Sequence, residues 1–229
     1  MGQNILKLIK PADIITLINA LLGFASIIMT VWGQFDTALV LVLIAVIADG
    51  ADGAVARYSG FGVLGANLDS LADVIAFGVA PALLAFVFLV HTGYIAGVFS
   101  GLFLACGILR LARFNVAGKK DGFEGIPITA GGFVVALFLL IRDYVGYFDY
   151  VFVLLLVSLS LLMISNIDYP KLKKPIILAP MSIVLVLDIA VFYLNYPDTD
   201  MVKKVSLLLF IMIFAYILSP IGRRFYVRN

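Results

Sequence analysis

Cysteine is nearly missing from this chain: Cys106 is the only one among 229 residues, so an intrachain disulfide and a thiolate metal site are both excluded. Charge is scarce as well. Asp, Glu, Lys and Arg make up 13% of the residues, against about 25% in soluble domains. The net charge of +2 is too small to attract nucleic acid, which removes that class of partner. The first ten residues lack the cleavage pattern of a secretory leader, and Leu6 stands where an N-myristoylation motif wants Ser or Thr. What the chain has is apolar surface: 63% hydrophobic residues and a mean hydropathy of +1.14. A water-soluble core cannot hide that much, so the expectation is a single integral-membrane domain over 1–229, all-α and polytopic. No repeat or low-complexity segment divides it.

Apolar runs broken by short polar turns predict about eight transmembrane helices, near 13–32, 37–57, 67–90, 93–115, 128–142, 149–166, 175–194 and 204–220. Ahead of them, Ile5, Leu8 and Ile9 fall on one helical side with Lys7 and Lys10 toward the other, a pattern for a short interfacial helix over 1–12. The polar intramembrane residues concentrate in 13–130, and 131–229 is plainer hydrophobic helix. In this layout 13 of the 16 basic residues share one side, among them Lys7, Lys10, Arg57, Lys119, Lys120, Lys171, Lys173, Lys174, Arg223, Arg224 and Arg228. Only Arg142, Lys203 and Lys204 fall opposite. The positive-inside rule then places both termini in the cytoplasm. Trp32, Phe35, Tyr94, Tyr144, Tyr147, Phe148 and Tyr150 mark an aromatic belt at the outer interface.

Within this apolar background stand Asp49, Asp52, Asp69 and Asp73. A carboxylate at the centre of a spanning helix costs roughly 2.5–3.5 kcal/mol, so four uncompensated ones oppose insertion by about 10 kcal/mol. Something positive must sit among them, and bound divalent metal is the most economical candidate. Asp49 and Asp52 lie roughly 60° apart on one face near the end of the second span, beside Gly53 and Ala56. Asp69 and Asp73 lie roughly 40° apart at the start of the third. The intervening loop, with Gly60, Gly62 and Gly65, is short enough to set the two helices antiparallel and adjacent. Four converging carboxylates can hold two metals about 3.5–4 Å apart, the arrangement that clamps phosphoryl chemistry. Oxygen-only ligands favour Mg²⁺ or Mn²⁺, with Ca²⁺ also admissible, over zinc. The competing reading of the same acids is an ion or proton pathway.

The spacing resembles the CDP-alcohol phosphotransferase family, whose signature is D-x2-D-G-x2-A-R-x8-G-x3-D-x3-D. Asp49, Asp52, Gly53, Ala56, Arg57, Gly65, Asp69 and Asp73 follow it in order, except that seven residues, not eight, separate Arg57 from Gly65. Leu68-Asp-Ser-Leu-Ala-Asp-Val-Ile-Ala-Phe-Gly-Val-Ala-Pro81, Arg110-Leu-Ala-Arg-Phe-Asn115 and Phe123-Glu-Gly-Ile-Pro127 are similar to the phosphatidylserine synthase branch. Pro11 and Thr16-Leu-Ile-Asn19 are similar to the family's first span. The resemblance implies a homodimer with six core helices, to which serine-specific members add two. It implies metal ligation by Asp49, Asp52 and Asp69 with Asp73 close by, Asp73 as general base, and Gly53, Ala56 and Arg57 against the cytidine nucleotide. Gly65, Thr16 and Asn19 join that nucleotide set.

The implied reaction moves a phosphatidyl-type group from a CDP-activated lipid, diacylglycerol or its archaeal equivalent, to L-serine and releases CMP at the cytoplasmic face. Arg110 and Arg113, roughly 60° apart on the fourth span, read either as a site for the lipid phosphate or serine carboxylate or as positive-inside anchors. Two rival functions stand beside this one: the same chemistry on inositol phosphate or glycerol phosphate, and a cation transporter built on the acidic cluster. Asp188 is expected to hydrogen-bond within the bundle, Cys106 to pack, His91 to sit at the outer interface, and Pro81 and Pro127 to bend or begin helices.

Overall fold

The computed structural model describes residues 5, 8–59, 62–117, 123–169, 175–196, 198 and 200–226. Lys10 precedes the first helix, α1 (Pro11–Val31), with Pro11 at a position where its missing N–H costs nothing. The Lys10 N–H donates to Asp13 Oδ2 at 2.8 Å, satisfying one orphan donor of the first turn. Of the expected interfacial helix, Ile5 is exposed, residues 1–4, Leu6 and Lys7 lie outside the described residues, and positions 11–12 belong to α1 instead. Lys119, Lys120, Lys171, Lys173, Lys174, Arg228 and Gly60 also lie outside them.

The inward stripe of α1 is Ala12, Asp13, Thr16, Asn19, Gly23, Ser26 and Thr30, while Ile14, Leu21 and Phe24 face outward and are exposed. Small and polar residues inside with bulky apolar ones outside is the packing expected where lipid replaces water. Ser26 Oγ donates to the Ala38 carbonyl at 2.8 Å, joining α1 to α2 (Phe35–Ser59). The third rod runs as α3 (Gly65–Asp73), a π-helical turn over Val74–Val79, and α4 (Ala80–Leu89), with Pro81 in the first turn of α4. Then come α5 (Tyr94–Ala117), α6 (Ile128–Leu140, entered from Pro127), α7 (Phe148–Ile164), α8 (Pro175–Asn195) and α9 (Asp200–Tyr226).

Five of these rods are long and apolar enough to cross a membrane: 11–31, 35–58, 65–92, 94–116 and 200–220. Three are shorter apolar helices, 128–140, 148–164 and 179–195. The fold is thus the expected all-α membrane bundle, with its fifth and sixth rods among the three short ones. Helix α6 is buried on all sides from Gly131 to Leu140, which marks it as the central rod. Asp188 Oδ2 accepts a hydrogen bond from Ser206 Oγ at 2.8 Å, tying α8 to α9.

The structure adds a small ladder that hydrophobic periodicity does not announce. Strand β1 (Phe123–Glu124) pairs antiparallel with β2 (Asp168–Tyr169). The buried Tyr169 hydroxyl donates to the Ile217 carbonyl at 3.3 Å and pins α9 to this ladder. At the opposite end of α2, Arg142 pairs with Asp36 at 3.0 Å, and Lys203 pairs with Asp143 at 2.7 Å. Two of the three basic residues that depart from the charge bias are therefore neutralised locally.

Candidate active site

Asp49 and Asp52 stand in the second half of α2, and Asp69 and Asp73 on consecutive turns of α3. The structure brings three of the four together: carboxylate oxygens of Asp49, Asp69 and Asp73 lie within 4.8 Å of one another. Asp52 is turned aside, its Oδ2 accepting a 2.7 Å hydrogen bond from Thr16 Oγ1 on α1. The expected convergence of four carboxylates is thus a trio with an outlying fourth, which Thr16 holds toward α1. Asp52 still borders the same cavity as Asp49 and Asp69.

Three carboxylates at this range repel unless a cation or a shared proton lies between them. Asp73 Oδ1 is buried without a hydrogen-bond partner among the described residues, and so are both polar side-chain atoms of Asn19. An oxygen-only trio with a free buried lone pair fits a hard divalent cation in its donor chemistry.

Directly after Asp73 the helix widens into the π turn, a feature that often accompanies functional sites. Backbone contacts grip it on two sides. A Cβ on Gly23 would stand 2.5 Å from Ala76 Cα, and one on Gly132 would stand 2.8 Å from the Phe77 carbonyl oxygen. Glycine at these two positions lets α1 and α6 touch the widened backbone itself, which sets the depth and rotation of Asp73. Ser70 on α3 is also tied to α5, accepting from Asn115 Nδ2 at 2.9 Å.

Two cavities meet at Asp49. One of about 320 Å³ opens between α1, α2 and α3 and is bordered by Asp13, Thr16, Asp52, Gly53, Ala56, Gly65, Asp69 and Phe114. The other, of about 620 Å³, is a mainly apolar crevice between α2, α6, α8 and α9, bordered by Val46, Ile47, Phe133, Leu185 and Ile213, with Thr129, Ser182 and Tyr216 as polar exceptions beside the shared Asp49. Exposed Arg57 reaches back along α2, its Nη1 standing 3.9 Å from where a Gly53 Cβ would be.

Arg110 and Arg113 part company. Arg110 is buried at 6% exposure, lies over the Phe114 ring at 5.3 Å, and is near enough to Asp73 to act on its charge. Arg113 instead donates to the carbonyls of Glu124 (2.6 Å), Met163 (3.2 Å), Ile164 (3.1 Å) and Ser165 (3.0 Å) and to Asn166 Oδ1 (3.3 Å). Its guanidinium caps the carbonyl end of α7, where a cation is favoured. Gly125, at φ +73°, allows this approach, because a Cβ there would stand 2.9 Å from Arg113 Nη2. Arg113→Ala is expected to lower the unfolding temperature by several degrees, since each carbonyl left unpaired costs about 1–3 kcal/mol. Arg113→Lys is expected to recover little, lacking the planar fork. An unchanged melting curve would return Arg113 to the substrate-binding candidates.

Asp13, Phe114, Thr129 and Tyr216 border the cavities without having been singled out from sequence. For Asp13 a signal existed: Asp13, Thr16 and Asn19 recur every third residue in an otherwise apolar helix. For Tyr216, more than 140 residues after Asp73, none did.

Residues 10–164 match the CDP-alcohol phosphatidyltransferase family. An archaetidylserine synthase of Methanothermobacter thermautotrophicus is 39% identical over 173 residues, covering 74% of this chain and 73% of that one. A CDP-diacylglycerol–serine O-phosphatidyltransferase of Helicobacter pylori is 40% identical over 174 residues, 71% of this chain and 72% of its own. One of the same description from Methanocaldococcus jannaschii is 36% identical over 191 residues, 81% and 86% of the two chains. With a membrane helix bundle, an acidic trio at the end of two neighbouring helices and a family match over two thirds of its length, the chain belongs to the CDP-alcohol phosphatidyltransferase family and is an enzyme of that family.

Proposed function

We propose that the protein transfers a phosphatidyl-type group from a CDP-activated lipid to L-serine and releases CMP. The observation that carries the reading is the meeting of an acid-bearing, small-residue cavity and an apolar crevice at Asp49, one of the acidic trio. The substrate is likewise divided, with a nucleotide at one end, hydrocarbon at the other, and the scissile diphosphate between. The names of the relatives from M. thermautotrophicus, H. pylori and M. jannaschii support serine as acceptor.

Asp49, Asp69 and Asp73 would hold divalent metal, Mg²⁺ or Mn²⁺, with Asp52 beside them. Bound there, the metal would offset charge on the diphosphate oxygens and on the departing CMP. The remaining steps fall to side chains. Gly53, Ala56 and Gly65 keep the cavity floor low enough for a nucleotide to lie against helix backbone, and Arg57 faces its phosphates from the rim. Thr16 orients Asp52 through its hydroxyl. Asp73 takes the proton from the serine hydroxyl, and its buried, unpaired Oδ1 is the atom for that task. Arg110, close to Asp73, supplies the cation for the serine carboxylate or the lipid phosphate. Asn19 is fully buried on α1 with both carboxamide atoms unpartnered among the described residues, and it borders neither cavity. The lipid tails lie in the apolar crevice and reach it sideways from the bilayer. The acidic end of the bundle faces the cytoplasm, and the enzyme works as a homodimer.

The test is CMP release from CDP-diacylglycerol and its ether-linked archaeal counterpart, with serine, inositol phosphate or glycerol phosphate as acceptor, each with and without EDTA. Serine alone should support release, and EDTA should abolish it until Mg²⁺ or Mn²⁺ is restored. Release with glycerol phosphate but not serine would move the protein to another acceptor class. Metal flux into proteoliposomes lacking CDP-lipid, without CMP release, would favour a transporter.

A further inference from the structure

Tyr216 on α9 has no part in the chemistry above, yet its side chain is buried and borders the crevice beside Asp49 and Thr129. Helix α9 lies wholly beyond residues 10–164, so the family match does not account for a polar group at this place. Its position is fixed by its neighbours. The Tyr169 and Tyr216 rings meet at 6.0 Å, and the Tyr169 hydroxyl holds the carbonyl of the next residue, Ile217. Tyr216 also interacts electrostatically with Arg110, which in turn feels the charge of Asp73.

The lining of the crevice is sorted by depth. Helices α6 and α8 run away from the acidic end and α2 and α9 run toward it, as the Arg142–Asp36, Lys203–Asp143 and Tyr169–Ile217 contacts require. On each helix the polar residue stands about one turn nearer the acidic end than an apolar one: Asp49 against Val46, Thr129 against Phe133, Ser182 against Leu185, Tyr216 against Ile213. The crevice thus has a polar head at the level of Asp49, on the opposite side of that residue from the nucleotide cavity. Phosphoryl transfer sets the attacking and leaving oxygens roughly in line. With CMP departing on the side of α1 and α3, the acceptor stands on the side of Tyr216.

An amino-acid acceptor brings a carboxylate, which needs a cation in so apolar a setting. Arg57 lies beside Gly53 at the nucleotide cavity, and Arg113 is committed to the carbonyl end of α7. Arg110, buried and close to Asp73, is the guanidinium placed for that task among the described residues. Asp73 alone would draw this guanidinium onto itself and cover the lone pair that a base needs. A phenol oxygen on the far side can accept from the guanidinium and hold it off. Resting on the reading of the reaction as transfer to serine, we propose that Tyr216 is a positioning residue for acceptor selection: its hydroxyl holds the Arg110 guanidinium at the head of the crevice, where it pairs with the carboxylate of the amino-acid acceptor. Helix α9 thereby completes the acceptor side of a site whose acids all come from α2 and α3.

The experiment measures CMP release from CDP-diacylglycerol by the full-length protein in nanodiscs at saturating Mg²⁺, with L-serine, L-serinamide or ethanolamine as acceptor. Serinamide keeps the shape of serine without its negative charge, and ethanolamine lacks the group altogether. Wild type is expected to favour serine over both by at least about 10-fold in kcat/KM, the scale of one hydrogen bond to a charged group. Tyr216→Phe keeps the ring that packs on Tyr169. It should raise KM for serine about 10-fold at nearly constant kcat, and shrink the preference over serinamide to within about threefold, the remainder once Arg110 is no longer held. An unchanged KM for serine, or an equal fall with all three acceptors, would overturn the assignment. A rise in KM for the CDP-lipid in place of serine would also overturn it, giving Arg110 to the lipid phosphate. So would wild-type use of serinamide as readily as serine, a result that needs no variant to fold. Failure of wild type to release CMP with any of the three would instead refute serine transfer itself.

Discussion

Asp73→Asn is expected to reduce serine-dependent CMP release by about 10²–10⁴-fold, the usual contribution of a positioned general base. The substitution keeps volume and hydrogen-bonding capacity, so the π turn behind it and the contacts with α1 and α6 should persist. What it removes is a lone pair basic enough to take a proton from an alcohol. CMP binding should change little, because the nucleotide cavity is bordered by Asp49, Asp52 and Asp69 and not by Asp73. The fall should therefore appear in kcat with KM for the CDP-lipid nearly constant, the pattern of an interaction made chiefly in the transition state. Asp73 is also one of the trio, so the assay is run across a Mg²⁺ titration. Recovery at high Mg²⁺ would reduce Asp73 to a metal ligand, and retention of more than a tenth of wild-type turnover would remove it as base.

Gly23→Ala and Gly132→Ala are expected to damage stability and activity together. Each added methyl meets backbone rather than a movable side-chain end: Ala76 Cα at 2.5 Å from one side, the Phe77 carbonyl oxygen at 2.8 Å from the other. Overpacking of this kind typically costs about 1–3 kcal/mol, visible as a lower unfolding temperature in detergent. The displaced segment begins at the residue after Asp73, and a misplacement of about 1 Å at a reacting group can cost about 10²-fold in rate. Because the two methyls press adjacent residues of the same turn, the double variant should depart from additivity. A Gly132→Ala protein with unchanged melting and unchanged turnover would mean that the π turn yields freely and does not position Asp73. The neighbouring Gly50, with nothing within 4 Å of its virtual Cβ, provides the control, and Gly50→Ala should leave melting unaffected.

The limits of the linear reading are visible at Asp52. Spacing of three and four residues correctly put each acidic pair on one helical face, because angular position within a helix depends only on local geometry. Whether faces on different helices meet at the same depth depends on how closely their backbones approach, and here that is set by Gly23 against Ala76 and Gly132 against Phe77. The same reasoning covers Arg113. Its position on α5 is periodic and legible, but its acceptors are carbonyls at the end of α7 some fifty residues later, brought within reach by Gly125.

Composition and hydrophobic runs were sufficient to dictate a helical membrane bundle, since an apolar chain in lipid must satisfy its backbone within each helix. They were sufficient also to assign Asp49 and Asp52 to the second rod and Asp69 and Asp73 to the start of the third. Packing alone determined which three carboxylates share a space, which one turns to Thr16, and that Asp13 on the first rod borders the same cavity. The physical reason is range. Helix formation and side-chain facing are governed within a few residues, whereas a site is a coincidence of distant backbones that only close contact between helices can bring about.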